Sequence, residues 1–399
     1  MPPTQPHSRL QGSHEILPQD RIVYGRPAPE VVAEQAAVLG AARVFVMTSR
    51  SVAGLAHTRA IETALGARHA GTYAGITAHS PRESVIDGAA AARKAGADLI
   101  VAVGGGSVID ATKLMLLCLW QGFTKPADLE PFHQVATIDL GGKITHDGVA
   151  PIRMIAVPTT LSGAEFTSQA GVTDTAKAFK QSYIHPMFAP RVVVLDPEAL
   201  RETPPWLLYT TGIRAVDHCV ETLCSTKAMP LSDALSGKAL AMLTSGLPRL
   251  KAAPEDIDNR LDLQLAVWLS IFGFMSGVPM GASHGISRVL GGTFGVPHGR
   301  TSCITLPAVL RWNSTVNAAR QAAVNAMMGA PTPVLADSVE GLVRRMGEPA
   351  RLREIDFDRG KFAEFAEKSL EKLKHKSVAG NPRPIRGAAD VLEILELAW

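Results

Sequence analysis

The chain has 399 residues, 46% of them hydrophobic and 19% charged, with a formal net charge of +3, a size and balance that suit a soluble globular protein of two domains with large cores. So small a charge, with no long lysine or arginine run, gives no footing for nucleic acid or an acidic membrane surface. Cys118, Cys219, Cys224 and Cys303 stand in apolar contexts without C-x-x-C spacing, which suits buried thiols in a reducing cytoplasm better than disulfides or a zinc knot.

Residues 1–20 are polar and carry no apolar core, so they read as a disordered extension and not as a targeting signal. A strand and helix rhythm follows. Arg21 to Tyr24 reads as a strand, Pro29 to Leu39 as a helix, Arg43 to Thr48 as a strand, Thr58 to Leu65 as a helix, Ala70 to Ala74 as a strand and Pro81 to Ala95 as a helix. Such alternation predicts a parallel sheet covered by helices on both faces, with ligands at the carboxyl ends of its strands. The apolar run Leu114 to Trp120 is far shorter than the roughly 20 residues that span a bilayer.

The next strand, Leu99 to Val103, breaks on Gly104-Gly105-Gly106-Ser107 and continues into an amphipathic segment through Asp110 and Lys113. Glycines let backbone N–H groups approach a pyrophosphate, and the helix start that follows adds partial positive charge. The spacing is neither G-x-G-x-x-G nor a Walker loop, since Lys113 lies seven residues past Gly106, and an ordinary glycine bend satisfies it equally. Gln121 to Ile152, with its Gly141-Gly142 turn, reads as a hairpin excursion. A second apolar strand, Arg153 to Val157, stops at Pro158-Thr159-Thr160-Leu161-Ser162-Gly163-Ala164-Glu165, small and hydroxylated residues that suit nucleotide contact or a plain turn. Lys180 and the strand Val192 to Asp196 finish this half.

From Trp206 the character becomes helical, with apolar periodicity over Leu207 to Thr226, Leu231 to Leu247, Asn259 to Met275 and Asn317 to Met328. The domain expectation is therefore 21–205 for a dinucleotide-binding α/β domain and 206–399 for an all-helical catalytic domain, with the active site in the cleft between them. His218, His284 and His298 carry the chemical argument, because small residues flank two of them and three imidazoles suit a Lewis-acid metal site. Each taken singly reads as a satisfied core histidine or a surface residue.

Gly104 to Lys113, Pro158 to Glu165 and the segments around the three histidines together resemble the iron-containing (group III) alcohol dehydrogenase superfamily, with its dehydroquinate synthase-like fold. The resemblance runs from Arg21 to Trp399 and includes Asn381-Pro382-Arg383-Pro384. Ala78-His79-Ser80-Pro81-Arg82-Glu83, Val289 to Phe294 and Ala398-Trp399 are similar to the maleylacetate reductase branch. The resemblance implies hydride transfer between NAD(H) or NADP(H) and a carbonyl or alcohol carbon of a small molecule, most closely an oxo-acid in aromatic-compound degradation. It implies cofactor contacts at Ser49, Gly104, Gly105, Gly106, Ser107, Asp110, Thr159, Thr160, Leu161, Ser162 and Lys180, an Fe²⁺ or Zn²⁺ site at His218, His284 and His298, and a homodimer. Alternatives are a general metal-dependent alcohol dehydrogenase or aldehyde reductase, a sugar-phosphate cyclase, and a non-enzymatic nucleotide-binding homologue.

One position departs from that pattern. Arg214 stands where the metal-dependent members are expected to carry an aspartate ligand, one helical turn before His218. A guanidinium is always charged and cannot ligate a cation. Asp217 adjoins His218, and neighbouring helix positions diverge by about 100°, so it suits pairing with Arg214 better than joint ligation. The expected site is therefore metal-poor, with positive charge from Arg214 and from Arg288, which lies four residues after His284. Thr48-Ser49-Arg50-Ser51 ends a strand without the acidic residue that repels a 2′-phosphate, which is compatible with NADPH.

Overall fold

A computed structural model describes residues 17–133, 152–177, 179–329, 332–374 and 378–399, which fall into two compact units, one ending at Thr203 and the other Pro204–Trp399. Most of the N-terminal extension and the Gly141-Gly142 turn lie outside the described residues.

The first unit holds strands β1 (Arg21–Tyr24), β2 (Val44–Ser49), β3 (His69–Ile76), β4 (Leu99–Gly104), β5 (Arg153–Pro158), β6 (Gln169–Asp174), β7 (Phe179–Ile184) and β8 (Val192–Leu195), and helices α1 (Ala28–Val38), α2 (Arg50–Ala53), α3 (Ala56–Leu65), α4 (Arg82–Lys94) and α5 (Gly106–Gln121). Six strands form one parallel sheet in the order β1-β8-β5-β4-β2-β3. Alternate residues of each strand enter different cores: Val44, Val46, Val101, Val103, Ile155 and Val157 pack with α1 and α3, whereas Phe45, Met47, Ile100, Ala102, Met154 and Ala156 pack with α4 and α5. Burial on both faces is why these strands read as unbroken apolar runs. The remaining strands, β6 and β7, form an antiparallel pair that the sequence reading did not separate from its surroundings.

The strand order reverses between β2 and β4. β2 runs outward to β3, and the chain then returns to β2's other side. Met47 pairs with Ala102 and Gly104 with Pro158, so β2, β4 and β5 end side by side at the switch point of the sheet, where open α/β sheets bind ligands.

The second unit comprises α6 (Pro205–Cys224), α7 (Pro230–Ala252), α8 (Ile257–Met275), α9 (Ala282–Gly292), α10 (His298–Met327), α11 (Leu335–Met346), α12 (Phe362–Leu373) and α13 (Ala388–Leu397). One apolar core joins α9, α10, α12 and α13 through Ile286, Leu290, Trp312, Phe365 and Ile394. The sequence pattern showed only the second half of α10. Its first half carries Pro307, and Asn317 breaks the helical backbone with φ −133° and ψ 27°, so the periodicity restarts there. No helix among the described residues is long and apolar enough to cross a membrane.

Lys113 ties the first unit together. Its ammonium is fully buried and donates to Ala164 O (2.6 Å), Thr167 Oγ1 (2.9 Å) and Gln169 O (2.9 Å), which fixes the loop after β5 to helix α5. Burial lowers its pKa from 10.5 to about 8, with Asp110 and Glu165 acting in the opposite sense. Between those two values the unfolded chain holds a proton that the folded chain has released, so this group makes stability rise with pH. Lys113→Met should lower unfolding stability by roughly 2–4 kcal/mol near pH 7, because the carbonyl oxygens lose their donor. The gap to the wild type should widen between pH 8 and 10 in urea titrations; a gap that stays constant would mean the ammonium is not desolvated.

Candidate active site

In the α/β unit Ser49, Gly104–Ser107 and Thr159–Ser162, among the sequence-predicted cofactor residues, lie at the ends of β2, β4 and β5. Helix α5 starts at Gly106 with no side chain capping it, which leaves first-turn N–H groups and the positive end of the helix dipole for an external anion. The glycines are demanded by the neighbouring loop: a Cβ on Gly105 would lie 2.8 Å from Thr160 Cγ2, and one on Gly106 3.0 Å from Ser162 Oγ. The glycine turn and the loop after β5 therefore close directly on each other, with Thr159 N donating to Gly104 O (3.1 Å). Ser107 O accepts from Ser80 Oγ at 2.8 Å. Ser80 and His79 both adopt left-handed backbone, φ 51° and 64°, a conformation that costs of order 1 kcal/mol or more per non-glycine residue.

Other expected contacts divide by role. Leu161 is fully buried and so offers a ligand only its backbone. Asp110 accepts from Gly171 N (3.0 Å), which fastens α5 to β6. Lys180 pairs with Thr173 across the β6–β7 ladder, and its side chain lies over Gly171 beside the Asp110 carboxylate. Ser49 closes β2 and shares a 3.0 Å hydroxyl contact with Ser51.

In the helical unit, Arg214, Asp217, His218 and Glu221 lie on α6 at positions i, i+3, i+4 and i+7, one face of a helix. Pro205 opens that helix, and it is buried from Thr210 to Cys224. Helix α10 approaches α6 so closely that a Cβ on Gly299 would lie 2.3 Å from Thr210 Oγ1, which brings Ser302 to α6. Arg214 Nη1 donates to Ser302 Oγ (2.7 Å) and lies 3.4 Å from Asp217 Oδ2. Ser302 and Ser283 both donate to that same Oδ2, at 2.7 and 3.1 Å. The expected Arg214–Asp217 pairing is thus present, with serines from α9 and α10 completing it.

Helix α9 contributes His284. Its Nδ1 lies 2.6 Å from Glu221 Oε2 and 3.5 Å from Asp217 Oδ2, and its ring centroid is 5.1 Å from that of His218. Burial, then the Arg214 charge, pushes the His284 pKa down to about 3; burial, then His284 and Arg214, takes His218 well below its usual range. Both imidazoles are therefore neutral at ordinary pH. Burial also lowers the Arg288 pKa to about 10, with Arg214 adding to the effect, whereas burial raises the carboxyls of Asp217 and Glu221. His218 Nδ1, His284 Nε2 and Asp217 Oδ1 are buried without a partner among the described residues. His298 begins α10; its side chain lies outside the description.

Glu221 is the participant that the sequence reading passed over. Its spacing three residues after His218 places it on the Asp217 face, but its role depends on where the start of α9 falls, which no local pattern reveals.

Both halves of the chain match models of a single family. Residues 18–197 match the iron-containing alcohol dehydrogenase model, and residues 208–399 match the C-terminal model of the Fe-containing alcohol dehydrogenase family. The dehydrogenase FUM7 of Gibberella moniliformis is 37% identical over 325 residues, 77% of this chain and 75% of that protein. Maleylacetate reductase 2 of Cupriavidus pinatubonensis is 32% identical over 315 residues, 78% and 77% of the two chains. The crystal structure of maleylacetate reductase from Agrobacterium tumefaciens superimposes with a TM-score of 0.79 at 25% identity, covering 98% of this chain and 99% of that one. The chain belongs to the iron-containing alcohol dehydrogenase family. It is an NAD(P)-dependent oxidoreductase with that family's fold.

The family implies a divalent metal, and the donor set tests that implication. Among the described residues, Asp217, Glu221 and His284 bring ligand atoms within 4.8 Å of one another. Both Glu221 oxygens already accept backbone N–H groups, from Gly281 and Ser283, and Asp217 Oδ2 faces Arg214. A divalent ion ~4 Å from the guanidinium would meet a repulsion of about 8 kcal/mol at an effective dielectric of ~20. Among the described residues, that donor set does not fit a divalent ion. Protein purified without chelators should carry iron and zinc well below one equivalent by elemental mass spectrometry; one equivalent of either would contradict this reading of Arg214.

Proposed function

We propose that the chain is a nicotinamide-dependent reductase of an oxo-acid, of the maleylacetate reductase type, in which arginine supplies the positive charge. The observation that carries this reading is the buried Arg214 guanidinium beside two neutral imidazoles, in a donor set that repels a divalent ion. The α/β unit is then the dinucleotide-binding domain. The uncapped start of α5 and the Gly104–Ser107 turn receive the pyrophosphate, with Thr159, Thr160 and Ser162 alongside and Ser49, Asp110 and Lys180 at the margins.

A bound nicotinamide supplies the hydride. Arg214 and Arg288 in the helical catalytic domain stabilise the oxygen that gains charge at the substrate carbonyl, or grip the substrate carboxylate. His218, neutral in the site, hydrogen-bonds that oxygen and orients it, and the proton that completes the hydroxyl comes from solvent. The reading includes a cytoplasmic homodimer acting in aromatic-compound degradation. Four buried free thiols suit the reducing compartment, and the family likeness motivates the rest.

A panel of maleylacetate, related oxo-acids, simple aldehydes and primary alcohols, assayed with and without added Fe²⁺ or Zn²⁺, tests the proposal. Oxo-acids should be reduced fastest, and chelation should leave the rate unchanged. Arg214→Ala should lower kcat/KM by about 10²–10³-fold, the effect of removing one oxyanion donor. Preference for simple alcohols, or activity that appears only with metal, would refute it. NADPH should be accepted at least as well as NADH, since Thr48-Ser49 at the end of β2 and Arg50-Ser51 at the start of α2 present no carboxylate to repel a 2′-phosphate.

A further inference from the structure

Helix α9 begins inside the helical unit with every N–H of its start engaged. Gly281 N donates to Glu221 Oε2 (2.9 Å), Ser283 N to Glu221 Oε1 (2.7 Å), and His284 N to Glu221 Oε2 (3.4 Å). Ala282 N donates to Asn381 Oδ1 at 3.2 Å. Asn381 is itself held by reciprocal amide bonds to Asn313, at 2.9 and 3.0 Å. Two side chains from distant parts of the chain thus fix where α9 starts, and Glu221 carries the larger share.

Oε2 receives Gly281 N and His284 N, and Oε1 receives Ser283 N; backbone N–H groups can only donate. Oε2 also faces His284 Nδ1 at 2.6 Å, and a hydrogen on Oε2 would displace one of the N–H groups it accepts, so Oε2 serves as the acceptor and Nδ1 carries the hydrogen. Asp217 Oδ2, 3.5 Å from the same Nδ1, favours the same assignment. A neutral imidazole with hydrogen on Nδ1 has a bare lone pair on Nε2. That atom is buried and unpartnered among the described residues, on a residue only 4% exposed.

We infer that Glu221 is a positioning residue: its carboxylate sets the His284 tautomer and orientation so that a bare Nε2 is presented as the acceptor for a hydroxyl hydrogen of the substrate. This rests on the oxo-acid reductase reading only in taking the hydroxyl-bearing reaction partner as that hydrogen's source. Arg214 and Arg288 offer donors alone; His284 adds the complementary acceptor, so the site distinguishes a hydroxyl from an ether or alkyl group at the same carbon. The division of roles follows: arginines receive the oxygen, and His284 receives its hydrogen.

The test is imidazole ¹⁵N NMR on the full chain labelled at its 12 histidines, with the His284 signal assigned by its loss in His284→Asn. The wild type should show protonated Nδ1 and bare Nε2 at pH 7.5. In Glu221→Gln the amide has one acceptor oxygen and a donating NH₂ and cannot accept from four donors, so the tautomer should shift to hydrogen on Nε2. With it, kcat should fall about 10- to 100-fold while KM changes less than threefold, and Glu221→Asp should restore the wild-type tautomer. Hydrogen on Nε2 in the wild type overturns the inference even if oxo-acids are reduced, and this arm needs no folded variant. An unchanged tautomer and kcat in Glu221→Gln also overturns it. Bare Nε2 in the wild type with the shift in Glu221→Gln supports it even if the substrate panel refutes the oxo-acid reading.

Discussion

The buried guanidinium of Arg214 is the constraint around which the helical unit is arranged. A permanent cation withdrawn from water is tolerated only beside compensating charge and hydrogen-bond acceptors. Asp217 supplies the charge from the same helix, and Ser302 from α10 accepts the shortest contact, at 2.7 Å. Ser302 in turn donates to Asp217, so cation, hydroxyl and carboxylate form a closed triangle. Ser283 extends it to α9 and meets Thr305, which in turn meets Ser287, at 2.9 Å each. Three helices are thus registered against one another by a polar network instead of by apolar packing alone, and any residue replacing Arg214 must leave Asp217 with another counter-charge.

In the α/β unit the equivalent constraint is steric. The three glycines after β4 read in the sequence as room for a phosphate. The structure adds that Thr160 and Ser162 already stand where two of the missing side chains would be. The glycines let two loops, from adjacent strand ends, close on each other, and Lys113 locks the second loop from beneath. A cradle assembled this way is rigid before any ligand arrives, which limits the ordering cost of binding.

The contrast between the two units explains what the sequence made legible. Continuous apolar runs at Val44 to Met47, Leu99 to Val103 and Met154 to Val157, set between helical patterns, suit strands buried on both faces, so the parallel sheet followed. The β6–β7 pair did not, because its alternation is short and mixed with polar residues such as Gln169, Thr173, Lys180 and Ser182. Pro307 hid the first half of α10, although a proline within a long helix is tolerated where packing holds both flanks. On α6 the departure at Arg214 was visible because one residue type, by its chemistry, excludes ligation. The engagement of Glu221 was not, because its donors come from residues 60 and more positions away in sequence.

Exchanging a metal ion for an arginine changes what a site of this kind selects. A divalent ion polarises any accessible carbonyl oxygen and exchanges its ligands; a guanidinium presents fixed, planar N–H donors, matched to a carboxylate or to an oxygen flanked by one. Its charge also cannot leave, and it adds to burial in lowering the pKa values of the neighbouring imidazoles. On the reading proposed here, the family fold keeps its hydride geometry while specificity narrows toward oxo-acids, because a simple aldehyde lacks the second oxygen group that a second arginine would meet. The density of buried donors around Asp217 and Glu221 is then the counterpart of that charge. It engages both Glu221 oxygens and Asp217 Oδ2, and so makes one substitution at Arg214 consistent with the packing of three helices.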